Sequence, residues 1–234
     1  MRSRPSLISK RRKWMERKAY VKTPFDNMLK VFLVPNGNPK KNAYILFDKE
    51  KCDGSIIDPG VDGYKLLCAI EECQVNISSI FLTDACKSNM ASVSEIVQNF
   101  GSVPVYMHEL ERPLFDANQK GDSHVSDDME IKYLKDKDAI DVTGHAGVAY
   151  HVPGHTPGSL CYHFGYFLFT GDSLMCNQIG ATSDAASKEQ LKKSIKEKLF
   201  VLPKETMVLP GSGSFTSIAT EALYNPEVGE KTKP

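Results

Sequence analysis

Residues 152–175 of the chain run VPGHTPGSLCYHFGYFLFTGDSLM. Two β-rich runs, SLCYHF (159–164) and YFLFTGD (166–172), are each bordered by a loop dense in Gly, His and Asp. Short apolar and aromatic runs bounded by turn formers read as buried strands. The bordering loops, PGHTPGS (153–159) and TGDSLM (170–175), set His155 and Asp172 at strand ends, where loops on a rigid sheet are free to hold a ligand.

Outward from this stretch, strand and helix signals alternate. LKVFLV (29–34) and AYILF (43–47) are strands joined by the turn-forming PNGNPKKN, and GSIID (54–58) is a third. A helix pattern runs from Val61 to Cys73, SSIFLT (78–83) reads as a buried strand, and ASVSEIVQNF (91–100) as an amphipathic helix closed by Gly101. VPVYMH (103–108) is a strand, residues 109–128 read as a polar loop, and MEIKYL (129–134) and GVAYHV (147–152) are strands. SKEQLKKSIKEKLFVL (187–202) is the clearest helix, with Ser187 as its expected cap. MVLPG (207–211) is the last strand, with a short helix near TSIATEAL. Two runs of strands, each ending in helices, predict one domain built as a sandwich of two sheets with helices outside.

The composition excludes several classes. No run approaches the roughly 18 consecutive apolar residues of a membrane-spanning helix. The six cysteines show no C-x-x-C pair and no zinc-ribbon spacing, so reduced, mostly buried thiols and an intracellular setting are expected. No apolar core follows the N-terminal charges, which argues against a secretory signal. The net charge of zero conceals an asymmetry. Residues 1–22 carry nine basic side chains and one acid, Glu16, hence +8; of the 29 basic and 29 acidic residues, 20 and 28 remain beyond them, hence −8.

Four strand-end loops stand out: TDACKSN (83–89), PGHTPGS, TGDSLM and LPGSGSFTS (209–217). Each follows a strand, so all four are expected to converge on one rim of the predicted sandwich. Imidazole and carboxylate together are donors for zinc or iron. Asn42–Tyr44, IIDPG (56–60), IFLTD (80–84), VPGHTPGSLCYHF (152–164), LFTGDSLM (168–175) and LPGSGSFTSIATE (209–221) resemble the ordered landmarks of the metallo-β-lactamase fold, in its glyoxalase II and persulfide dioxygenase branch. The resemblance covers residues 28–222 and implies an α+β, four-layered αβ/βα sandwich with metal held at the sheet edges. The expected organisation is a basic arm at 1–27, the domain at 28–224 and a polar tail at 225–234.

The resemblance also implies a metal motif, T-H-x-H-x-D-H, directly after the IFLT strand. Here that stretch reads Thr83, Asp84, Ala85, Cys86, Lys87, Ser88, Asn89. Asp84 and Cys86 stand where the motif has the first site's histidines, and Ser88 and Asn89 where it has the second site's aspartate and histidine. His155 and the bridging Asp172 match the pattern, and Ser212 replaces the last histidine. In a two-metal hydrolase the ions draw the pKa of a bridging water toward neutrality and make it the nucleophile. Ser88 brings no negative charge and Lys87 beside it opposes a cation, so an empty second site and no two-metal hydrolysis are expected. Asp84, Cys86, His155 and Asp172 remain as a set for one ion; in persulfide dioxygenases the positions of Asp84, His155 and Asp172 hold a single iron. The plainer readings are a His155–Asp172 hydrogen bond closing the old site and a small buried thiol at Cys86. His108, His124, His145, His151 and His163 follow no ligand spacing.

The expected function is therefore that of a catalytically inactive protein of this fold, without cofactor, serving as a structural subunit of a larger mitochondrial assembly. One alternative is a mononuclear zinc or iron enzyme, either a glyoxalase II-like thioester hydrolase or a persulfide dioxygenase-like oxygenase. Another is an RNA- or ribosome-associated protein. The arm supplies the partner-binding expectation through Arg2, Arg4, Lys10, Arg11, Arg12, Lys13, Trp14, Arg17 and Lys18. Its Arg-rich, acid-poor composition with Ser3, Ser6 and Ser9 fits a mitochondrial transit segment, and equally a tail lying on RNA or an acidic protein surface. The cytoplasm is the other compartment considered.

Overall fold

A computed structural model describes residues 29–35, 41–101, 103–119 and 129–231. The arm contacts from Arg2 to Lys18, and His124, lie outside the described residues. The first sheet opens with β1 (Leu29–Pro35), β2 (Asn42–Asp48) and β3 (Asp53–Ile57), paired antiparallel. Helix α1 (Gly63–Cys73), capped by the Asp62 carboxylate accepting the Lys65 amide, crosses to the parallel strand β4 (Asn76–Phe81). The short α2 (Lys87–Met90) and α3 (Val93–Phe100) lead to β5 (Val105–Met107), and α4 (Arg112–Gln119) precedes β6 (Ile131–Tyr133), both strands continuing the parallel half.

The second sheet begins with β7 (Ala139–Val142), β8 (His145–His151), β9 (Leu160–Phe164) and β10 (Phe167–Gly171), all antiparallel. A small hairpin of β11 (Leu174–Met175) and β12 (Gln178–Ile179) follows, then α5 (Ala185–Ser194), which continues as a π turn over Ile195–Leu199. Strand β13 (Met207–Pro210) lies parallel to β10, β14 (Thr216–Ser217) closes that edge, and α6 (Ile218–Tyr224) packs outside.

Three apolar layers hold these pieces together. Strand β2 shows how: Ala43, Ile45 and Phe47 face one layer, shared with Leu66 and Ile96 of the outer helices, while Tyr44 and Leu46 face the other. Side chains alternate across a strand, so a strand buried on both faces reads as a continuous apolar run. The central layer joins the two sheets through Tyr44, Phe81, Tyr162, Phe164 and Phe169, with the Phe81 and Tyr162 rings edge-on at 5.2 Å. The third packs Leu168 and Val208 against Leu191, Ile195 and Ile218. Helix, sheet, sheet, helix is the four-layered sandwich expected.

Four expectations are corrected. Residues 109–119 are helical rather than loop: a 3-10 turn at Glu109–Glu111 runs into α4. The His108 ring accepts the Leu110 amide, Arg112 pairs with Asp116 one turn on at 2.7 Å, and Pro113 sits in the first turn, where its missing N–H is not needed. Strand β7 was unforeseen. The cap of α5 is Asp184, whose carboxylate accepts the Ser187 amide at 2.7 Å, rather than Ser187 itself. The packed body runs past residue 224, because Asn225 and Val228 are buried and the Lys231 amide bonds to the Leu223 carbonyl at 3.0 Å. Among the described residues no helix is long and apolar enough to cross a membrane.

Candidate functional site

The loop after β4 is fixed by the protein's own hydrogen bonds. Asp58, just past β3, accepts both the Thr83 amide at 2.8 Å and the Thr83 hydroxyl at 2.7 Å. Burial raises its carboxyl to about 8, with the Asp84 and Asp172 carboxylates adding and the Thr83 bonds opposing. The Thr83 carbonyl accepts the Leu160 amide at 2.7 Å, and the Tyr162 hydroxyl donates to the Leu82 carbonyl at 2.6 Å, so β9 of the second sheet grips the end of β4. Glu111 accepts the Ala85 and Gly158 amides, each at 2.8 Å, tying this loop to PGHTPGS.

These ties bring Asp84, Cys86 and His155 together, with ligand atoms all within 4.8 Å of one another. His155 Nδ1 bonds to the Ala181 carbonyl at 2.8 Å, which leaves Nε2 facing Asp84 Oδ2 at 3.8 Å. Asp84 is 1% exposed and its Oδ1 accepts the Cys86 amide at 2.9 Å. Burial holds the Asp84 carboxyl above the ordinary range, against the pull of His155 and the Cys86 amide. Burial, and then the Asp84 carboxylate, push the Cys86 thiol up. A carboxylate, a thiol and an imidazole so placed are donors suited to one zinc-like ion, so this group fits a first-site metal.

Asp172 stands outside that trio, and the His155–Asp172 bond expected from sequence is replaced by the bond to Ala181. At the end of β10, Asp172 Oδ1 accepts the Ser212 hydroxyl at 2.9 Å. Its Oδ2 lies 2.5 Å from Lys41 Nζ, which also reaches Asn89 Oδ1 at 3.4 Å. The Ser88 hydroxyl is 3.4 Å from the same Asn89 oxygen. Ser88, Asn89, Asp172 and Ser212 thus do gather at one place, around a lysine the sequence reading missed. Lys41 lay in PNGNPKKN, read only as a turn, and its partner is 131 residues away, so no local pattern reveals it. Two hydroxyls, an amide and an ammonium around a single carboxylate do not fit a second divalent ion. Elsewhere on the rim, the His108 and His151 rings stack at 4.1 Å, whereas His145 pairs with Asp48 at 3.0 Å at the opposite ends of β8 and β2, away from the site.

No family model matches the chain. It is 32% identical over 203 residues to the probable metallo-hydrolase YqgX of Bacillus subtilis, covering 82% of this chain and 94% of that one. The crystal structure of BLEG-1 B3 metallo-β-lactamase superposes with a TM-score of 0.71 at 28% identity, over 84% of this chain and 98% of that one. The chain belongs to the metallo-β-lactamase superfamily. Its relatives within the metallo-β-lactamase superfamily are glyoxalase II-like: the hydroxyacylglutathione hydrolase GloC of Haemophilus influenzae is 27% identical over 213 residues, 87% of this chain and 100% of that protein.

Proposed function

We propose that the chain is a non-hydrolytic metallo-β-lactamase-fold protein that serves as a structural subunit of a larger mitochondrial assembly. The observation that carries this reading is the 2.9 Å bond from the Ser212 hydroxyl to Asp172 Oδ1. Ser212 holds the position of the family's last histidine ligand, and here it satisfies the bridging carboxylate instead of holding an ion. Ser88 and Asn89 add no negative charge, so a metal-bridging hydroxide has nothing to be built on. The +8 arm, with Arg11, Arg12 and Trp14 at its centre, is the partner-binding element of the proposal. The test takes the purified full chain, incubates it with zinc, iron(II) or manganese, and follows cleavage of a hydroxyacylglutathione thioester. The expected result is no turnover above metal and buffer alone, with the tagged chain migrating in a high-mass complex in cell extracts. Enzyme-like turnover, or migration only as the free chain, overturns the proposal.

A second reading has its own observation, the convergence of Asp84, Cys86 and His155. These residues would hold one zinc or iron ion, which supplies Lewis-acid or redox chemistry when bound. Asp84 and Cys86 give up protons to serve, and His155 is already oriented by Ala181. Cobalt(II) titration tests it: a sulfur-to-cobalt charge-transfer band that disappears in Cys86→Ser supports the ion, and its absence in the native chain removes it.

A further inference from the structure

Lys41 and Asp172 are both largely withdrawn from water, with side chains 12% and 15% exposed. A carboxylate in that position needs a cation, because an uncompensated charge in a poorly solvated site is strongly unfavourable. The ammonium sits 2.5 Å from Asp172 Oδ2 and 3.4 Å from Asn89 Oδ1, so oxygen atoms from two ligand positions face one positive centre. Asn89 carries the sign of this arrangement. It is 1% exposed, its oxygen turns toward Lys41, and its Nδ2 is left buried with no hydrogen-bond partner among the described residues. The oxygen faces the Lys41 ammonium and the Ser88 hydroxyl, and a hydrogen bond from a cation is stronger than one between neutral groups, which offsets the cost of the unpaired donor. The ammonium is also placed by backbone: Lys41 makes an isolated antiparallel bridge with Ser212, and the Asn42 amide bonds to the Gly211 carbonyl at 2.9 Å.

We infer that Lys41 is a tethered replacement for the second metal ion, the built-in counter-charge of Asp172 that orients Asn89 and keeps divalent ions out of this half of the rim. The inference rests on the non-hydrolytic reading above and gives it a positive cause. The loss of ligands alone would leave Asp172 uncompensated, whereas the lysine makes the altered site electrostatically complete without an ion.

The experiment is a double-mutant cycle on the full chain, Lys41→Met and Asp172→Asn, read by thermal melting with and without manganese(II). Manganese is the probe because it favours the oxygen donors of Asp172, Asn89 and Ser212 over a thiol. The expected result is a Tm several degrees below the native value for Lys41→Met, a smaller drop from the same change in the Asp172→Asn background, and a manganese-induced rise in Lys41→Met that exceeds any rise in the native chain. If Lys41→Met alone does not fold, the double variant decides: recovered folding supports the assignment, and continued failure overturns it. Additive effects, or a manganese response equal in native chain and variant, also overturn it. Thioester turnover by the native chain would defeat the non-hydrolytic reading whatever the cycle gives, whereas additivity without turnover defeats only the role of Lys41.

Discussion

The Glu111 carboxylate accepts the Gly158 amide at 2.8 Å, and its second oxygen accepts the Ala85 amide at the same distance. One side chain, 1% exposed, thereby spaces the loop that carries Asp84 and Cys86 from the loop that carries His155. The rim is held by the protein's own hydrogen bonds and so keeps its shape independently of any ion.

Glu111→Gln should therefore destabilise the whole body. A glutamine presents one oxygen and one amide, so one of the two backbone donors would meet another donor at the bottom of the rim. Leaving a buried group unsatisfied costs about 1–3 kcal/mol. Urea unfolding should show a lower midpoint with an unchanged slope, and an unchanged midpoint would remove Glu111 from this role.

Gly171→Ala should cost about 2–4 kcal/mol, combining a left-handed conformation with overpacking. Gly171 has φ of 52°, and a Cβ there would run into the Thr83 side chain, which is already committed to Asp58. Thermal melting reads the loss. A variant as stable as the native chain would show that Thr83 can move, and with it the Asp58 clamp.

Tyr162→Phe separates packing from hydrogen bonding at the centre of the sandwich. The ring stays against Phe81, but the Leu82 carbonyl loses the hydroxyl that reaches it at 2.6 Å. A loss of about 1–2 kcal/mol is expected. A loss near zero would mean that the tie between β9 and the end of β4 adds nothing beyond burial.

The sandwich was legible because its central strands β2 and β10 are buried on both faces, and such strands announce themselves as apolar runs: AYILF and YFLFTGD needed no partner to be recognised. The helix at Arg112–Gln119 was not, because its polar face and Pro113 resemble a loop until Glu111 is seen buried between two backbone amides. The rim divides in the same way. Asp84, Cys86 and His155 lie on loops whose order along the chain predicts that they meet. Lys41 belongs to a turn whose composition carries no chemistry, and only the pairing of β2 with the LPGSGS loop brings it to Asp172. Long-range charge placement is a property of the folded sheet, not of any window of sequence.

Asp58 makes stability depend on pH in a defined direction. Its carboxyl titrates near 3.8 when solvated and is raised to about 8 in the fold, so between those values the native chain holds a proton that the unfolded chain has released. Stability from this group is fully present below about 4 and is lost as pH rises toward 8, with a slope of up to about 1.4 kcal/mol per pH unit. His108 and His163 act the other way, since burial lowers both and their contribution grows as pH rises. The group is isolated by comparing the native chain with Asp58→Asn, in which asparagine tolerates the φ of 50° and still accepts the Thr83 amide. Unfolding free energies measured from pH 5 to pH 8 should fall more steeply for the native chain than for the variant. Parallel curves would show that Asp58 is ionised in the fold and that its two bonds from Thr83 outweigh its burial.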